Sequence, residues 1–133
     1  MNAQAMPAGQ LAVLLHQSAA EISADTAAVT LIARHDCFLH QQAFRRIIAA
    51  GSSVCTGEPV TVIRWHAAIH ALDTGRLCCS PAQAAVLRIA ASLGDDDIGV
   101  HLRQALPHLD QRSITLVAAA VTTASCRTGK ETR

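Results

Sequence analysis

The sequence predicts an all-α protein, a compact single-domain bundle of about five to six helices around one central apolar helix at residues 81–93. Three observations predict it. Residues 80–94, SPAQAAVLRIAASLG, are apolar around most of a helical circumference, with Arg88 and Ser92 as a narrow polar stripe; a helix of that kind is covered by others on most sides. Elsewhere apolar residues recur at three- and four-residue spacing rather than in alternation. The composition is 50% hydrophobic and 16% charged, which excludes a disordered chain, and aromatics are only 2%. Much of the apolar content is alanine, whose small side chain permits close helix packing.

A chain of 133 residues buries roughly 65–70% of its unfolded surface, so it needs neither metal nor disulfide to fold. The domain is expected over residues 7–126, with residues 1–6 and 127–133 as flexible termini.

The elements follow in order. Pro7 opens a first helix running to about Ala20, with Leu11, Leu14, Leu15, Ser18 and Ile22 at helical spacing. Ser23 or Asp25 caps a second, TAAVTLIARH, with Ala28, Leu31, Ile32 and His35 toward the core. A third carries Phe38, Leu39, Phe44, Ile47 and Ile48 inward, puts Gln41, Gln42, Arg45 and Arg46 on its wet side, and ends at Gly51. GSSVCTGEP reads as a loop. A fourth helix spans about residues 60–74, with Val62, Trp65, Ile69 and Leu72 on a seam and Gly75 as its stop; residues 60–63 would also pass for a short β segment. In the central helix Ser80 is a favoured N-cap, Pro81 fits the first helical position, and Gly94 reads as a stop with positive φ. Asp95, Asp96 and Asp97 lie at the wrong end of that helix for acids and favour the start of a short turn near residues 99–106, which Pro107 ends. Asp110 caps a last helix over residues 111–126, whose buried face is expected to hold Ile114, Val117, Ala118, Val121 and Ala124 or Ser125.

The formal net charge is +1, which gives no general attraction to nucleic acid or acidic lipid. No apolar run reaches the roughly 18–20 residues of a membrane span; the closest, residues 114–124, is interrupted by Thr115, Thr122 and Thr123. The five cysteines are an odd number without a C-x-x-C pair. With no basic region before Leu11 to mark a secretory signal, they read as reduced thiols in a cytoplasm.

Several groups of residues could carry chemistry. His66, His70 and Asp73, at i, i+4 and i+7, share one stripe of the fourth helix, a spacing that could hold a zinc ion. Ala67 stands where a metalloprotease needs glutamate, so the stripe reads as helix surface, with a metal site as the alternative. Arg34, Arg45 and Arg46 are the candidate patch for a phosphate or an acidic partner, against a solvated face. His35, Asp36, Cys37 and His40 hold a Cys–His pair with no orienting third group, and Cys37 reads as buried and inert. Cys78 and Cys79 read as packing thiols. Asp95, Asp97 and Gly99 have the start of a calcium loop, but Leu106 occupies the position of its terminal acid. No phosphate-binding or dinucleotide glycine motif occurs, and no cofactor is implied.

The stretches IRWHAAIHALDTGRLCCSPAQAAVLRIAASLG and VHLRQALPHLDQRSITLVAAAV resemble a group of small uncharacterised all-helical proteins from actinobacteria. Those share a Trp-containing helix, a Leu-Cys-Ser link, an Ala-Ser-Leu helix end and a Leu-Asp cap before the last helix. The likeness covers about the C-terminal half. It implies a helical fold in a bacterial cytoplasm and transfers no catalytic residue.

The expected function is therefore that of a non-enzymatic helical interaction protein, binding a protein partner or a second copy of itself. The weakly charged last helix is its most apolar surface. The alternatives are a metal-binding protein and a DNA-binding regulator of helix-turn-helix type. The regulator would use residues 80–93 and 99–106, with Arg103 as the sole groove-reading cation.

Overall fold

The computed structural model describes residues 6–20, 22–35, 38–52, 57 and 59–125. Expectations for residues 1–5, Asp36, Cys37, Cys55 and residues 126–133 lie outside these. Among the described residues there are seven α-helices and one two-stranded sheet, so the helical class is as the sequence predicts.

Helix α1 (Ala8–Ala19) buries Leu11, Leu15 and Ala19, and α2 (Ser23–His35) buries Ala27, Ala28, Val29, Leu31 and Ile32. Met6, expected in the flexible arm, is buried, and its carbonyl accepts from Arg45 Nη1 at 2.6 Å.

The expected third helix breaks up. A 3₁₀ turn (Phe38–His40) and the short α3 (Gln42–Arg45) come first, and then the chain turns into strand β1 (Ile48–Ser52). β1 pairs antiparallel with β2 (Pro59–Ile63), Ile48 facing Ile63 and Ala50 facing Thr61. β2 carries four β-branched residues in a row, Val60 to Ile63, and Ile48 opens β1; such side chains favour extended backbone. The burial of β2 alternates accordingly: Thr61 and Ile63 are buried and Val62 is exposed. Helix α1 covers β2, and the Thr61 N–H donates to Ser18 Oγ at 2.8 Å. That bond occupies an edge donor that would otherwise be open.

Because residues 60–63 are strand, helix α4 begins at Trp65 and ends at Asp73 (Trp65–Asp73). Its stop is a Schellman turn. Gly75, at φ +79°, donates to Leu72 O, and the Arg76 N–H donates to Ala71 O at 2.9 Å.

Helix α5 (Pro81–Gly94) is the expected central helix. Ser80 Oγ accepts from the Gln83 N–H at 3.1 Å, and Gln83 Oε1 accepts from the Ser80 N–H at 3.0 Å, a full capping box. Ala85, Val86, Leu87, Ile89, Ala90 and Ala91 are buried, and α2 shares the centre with it, packing against α1 and α5.

Gly94 corrects the sequence reading: it is the last helical residue, without positive φ, and Asp95 is the cap. The glycine is needed for space. A methyl group there would lie 2.9 Å from Trp65 Cζ2 and nearer still to Nε1 and Cε2.

After α5 come α6 (Leu102–Ala105), a 3₁₀ turn (Leu106–His108) that contains Pro107 rather than ending before it, and α7 (Gln111–Ser125). Asp110 caps α7, its Oδ1 accepting from the Ser113 N–H at 2.8 Å. The buried face of α7 agrees with the expected one at Val117 and, in part, at Ala124, and differs elsewhere. Ser113, Val117 and Ala120 are buried, whereas Ile114 and Val121 are 44% and 51% exposed. The smaller residues at 113 and 120 let α7 approach α2, and the Ser113 hydroxyl meets His35 Nε2 at 3.2 Å.

Candidate functional site

The structure separates the histidine stripe. His66, on the first turn of α4, turns to the end of α5, its Nε2 3.3 Å from Asp95 Oδ2. Asp73, on the last turn, accepts from Arg88 Nη2 at 2.6 Å. The two contacts pin α4 antiparallel to α5, with Trp65 laid over Gly94 beside them. His70 lies elsewhere, on the wall of a groove described below. Among the described residues, the one group with metal-ligand spacing is His66, Asp95 and Asp97, whose donor atoms lie within 4.8 Å of one another. The Asp97 N–H also donates to Asp95 Oδ1 at 2.8 Å. His66 and Asp97 are exposed, and exposed pairs of this kind contribute little to stability. Asp25, at the start of α2, is held above the ordinary carboxylate range by partial burial and then by the nearby Asp96.

The arginine patch is also redistributed. Arg34 is exposed on the last turn of α2, and its carbonyl accepts from Arg112 Nη2 at 3.0 Å. Arg45 turns inward, donating from Nε to Leu39 O and from Nη1 to Met6 O. Of the three, Arg46 alone borders a groove, and there it meets two arginines that the sequence reading did not select. Arg46, Arg64, Arg76 and His70 line a cavity of about 470 Å³ over Ile47 and Leu77. The fold brings them together in two steps. The hairpin closes with the Arg64 N–H donating to Ile47 O at 3.2 Å, which sets Arg64 beside the Arg46–Ile47 turn. The Schellman turn then folds Arg76 back onto the end of α4. Arg64 is braced, donating from Nε to Ile47 O at 3.2 Å and from Nη2 to Arg46 O at 3.5 Å. No carboxylate lines the groove, and neither Arg46 nor Arg76 has an ion pair among the described residues. The linear signal was the Arg45–Arg46 pair with single arginines at 64 and 76, whose convergence depends on the hairpin.

No protein-family model, curated protein or solved structure matches this chain.

The remaining features weigh on the choice of function. Helix α6 has four residues and one cation, Arg103, short for a helix that must lie along a DNA groove. No helix among the described residues is long and apolar enough to cross a membrane. Cys78 is exposed and free; Cys79 is half-buried and free, its thiol pushed up by burial and then by Cys78. A depressed thiol would be the nucleophilic one. The surface of α7 is weakly charged. Arg112 is its only charged residue, and among the described residues four of the seven exposed large apolar side chains, Leu102, Leu106, Ile114 and Val121, lie in α6, the turn after it, and α7.

Proposed function

We propose that this protein is a non-enzymatic helical interaction protein that associates with a second copy of itself through α7. The observation that carries this reading is the row Ile114, Ala118, Val121 and Ser125, all exposed. The row sits at spacings of four, three and four, which is the seam pattern of paired helices. It holds no charge, so the matching surface must also be uncharged, and the same row on a second copy meets that condition. Ala118, between two branched side chains, leaves a notch into which a facing Ile114 or Val121 fits. A two-fold pairing of this kind presents the same patch on both partners. The setting we propose is a bacterial cytoplasm, supported by the resemblance of the C-terminal half and by the free thiols of Cys78 and Cys79.

Sedimentation over a range of concentrations tests the reading. The parent protein is expected to shift from monomer to dimer as concentration rises. Ile114→Glu, which buries a charge only in the dimer, should stay monomeric with an unchanged circular dichroism spectrum. A parent that is monomeric throughout, or an Ile114→Glu variant that dimerises as well as the parent, would overturn it.

A further inference from the structure

We propose that the groove between α3 and α4 is a binding site for a phosphoryl group, with Arg46, Arg64 and Arg76 as its ligands and His70 at its rim. This inference is independent of self-association through α7.

Three arginines line one concave surface, and no carboxylate is among its described lining residues. The protein's net charge is only +1, so this is a local concentration of charge rather than part of a basic surface. Guanidinium donates paired N–H groups in a planar fork that matches phosphoryl oxygens, and three of them can neutralise a dianionic or trianionic group. Arg64 is already held by the carbonyls of Ile47 and Arg46, which reduces the side-chain entropy lost on binding. Arg46 and Arg76 have no ion pair among the described residues and would supply the other two contacts to the anion. The cavity, about 470 Å³, is within the usual range of small-molecule sites. Its floor of Ile47 and Leu77 offers apolar contact to an organic remainder, so the site fits a phosphorylated organic molecule better than a bare ion. A second cleft, about 390 Å³ between α5 and α6, contains Arg88. That guanidinium is bonded to Asp73, so the cleft presents no free arginine in the same way.

The phosphoryl group could belong to a soluble molecule or to a lipid headgroup, and two probes separate these sources. Inorganic pyrophosphate is titrated by calorimetry, and vesicles containing phosphatidic acid are tested by co-sedimentation. Pyrophosphate is expected to bind the parent protein. Arg46→Gln and Arg76→Gln should each weaken it about tenfold, the effect of losing one charge-assisted contact. Arg34→Gln removes the same charge outside the groove and should bind as the parent does. Vesicle binding that depends on Arg46 and Arg76, without pyrophosphate binding, would assign the group to a headgroup. The proposal fails if neither probe binds, or if Arg34→Gln loses as much affinity as Arg76→Gln, which would show general charge attraction. It also fails if Arg46→Gln and Arg76→Gln, folded by circular dichroism, bind as the parent does.

Discussion

Replacing Gly94 by alanine isolates the contact that joins α4 to α5. By helix propensity alone the change should help, because glycine in a helix costs roughly 0.5–1 kcal/mol relative to alanine, and Gly94 has ordinary helical backbone. The added methyl group, however, would lie 2.9 Å from Trp65 Cζ2 and closer to two further indole atoms. Carbon atoms pack at about 3.5–4.0 Å, so the rigid indole must move by more than half an ångström at Cζ2 and by more than a full one at its two closest atoms. Overpacking of this kind costs about 1–3 kcal/mol. The net expectation is a destabilisation of roughly 0.5–2 kcal/mol. Urea denaturation followed by circular dichroism measures it. Emission from Trp65, the only tryptophan, should shift to the red in the folded variant as the ring lifts from α5. A double-mutant cycle makes the cause explicit. In a Trp65→Ala background the clash is gone, and Gly94→Ala should become neutral or stabilising. If Gly94→Ala is as stable as the parent while Trp65 is present, the glycine does not serve the indole and the packing argument is refuted.

Two further outcomes are expected. Leu87, at 0% exposure in the middle of α5, should cost roughly 2–5 kcal/mol when replaced by alanine; a loss below about 0.5 kcal/mol in urea melts would show that α5 is not central. The carboxyl group of Asp110 is held below its ordinary value of 3.8, first by the side-chain and backbone hydrogen bonds of Ser113. A depressed folded-state pKa gives stability that is present above 3.8 and lost as pH falls through the lower folded value. Asp110→Ala should therefore melt below the parent at pH 7, with the difference closing on acidification below that range; a constant difference down to the lowest pH at which the parent folds would refute the cap's electrostatic part.

The sequence disclosed most where one local signal acted alone. Ser80, Pro81 and Gln83 formed the capping box, Gly75 took its positive φ, and Asp110 capped α7, because each motif depends on residues within one turn. It disclosed less where two local signals competed. Ile47, Ile48 and residues 60–63 fit a helical seam by period, but their β-branching favours a hairpin, and pairing Ile48 with Ile63 secures burial that neither segment reaches alone. Gly94 read as a stop because its requirement comes from Trp65, far away in the chain.

Hydropathy placed Val117 correctly on α7 but also turned Ile114, Ala118 and Val121 inward, and the reason bears on function. Burying Ile114 and Val121 would cover more apolar area, yet the helix buries Ser113, Val117 and Ala120. Three contacts accompany the observed face. Ser113 meets His35 from α2, its N–H closes the Asp110 cap, and Arg112 donates to the Arg34 carbonyl at the end of α2. Rotating Ile114 inward would turn Ser113 away from His35, at a cost of about 1–3 kcal/mol for a polar group left buried and unpaired. The same logic applies at the arginine groove. Neither Arg46 nor Arg76 has an ion pair among the described residues, and both line the groove to which the hairpin and the Schellman turn contribute. Both surfaces are departures from what folding alone would favour, and residues that depart from local rules in this way are where function is sought first.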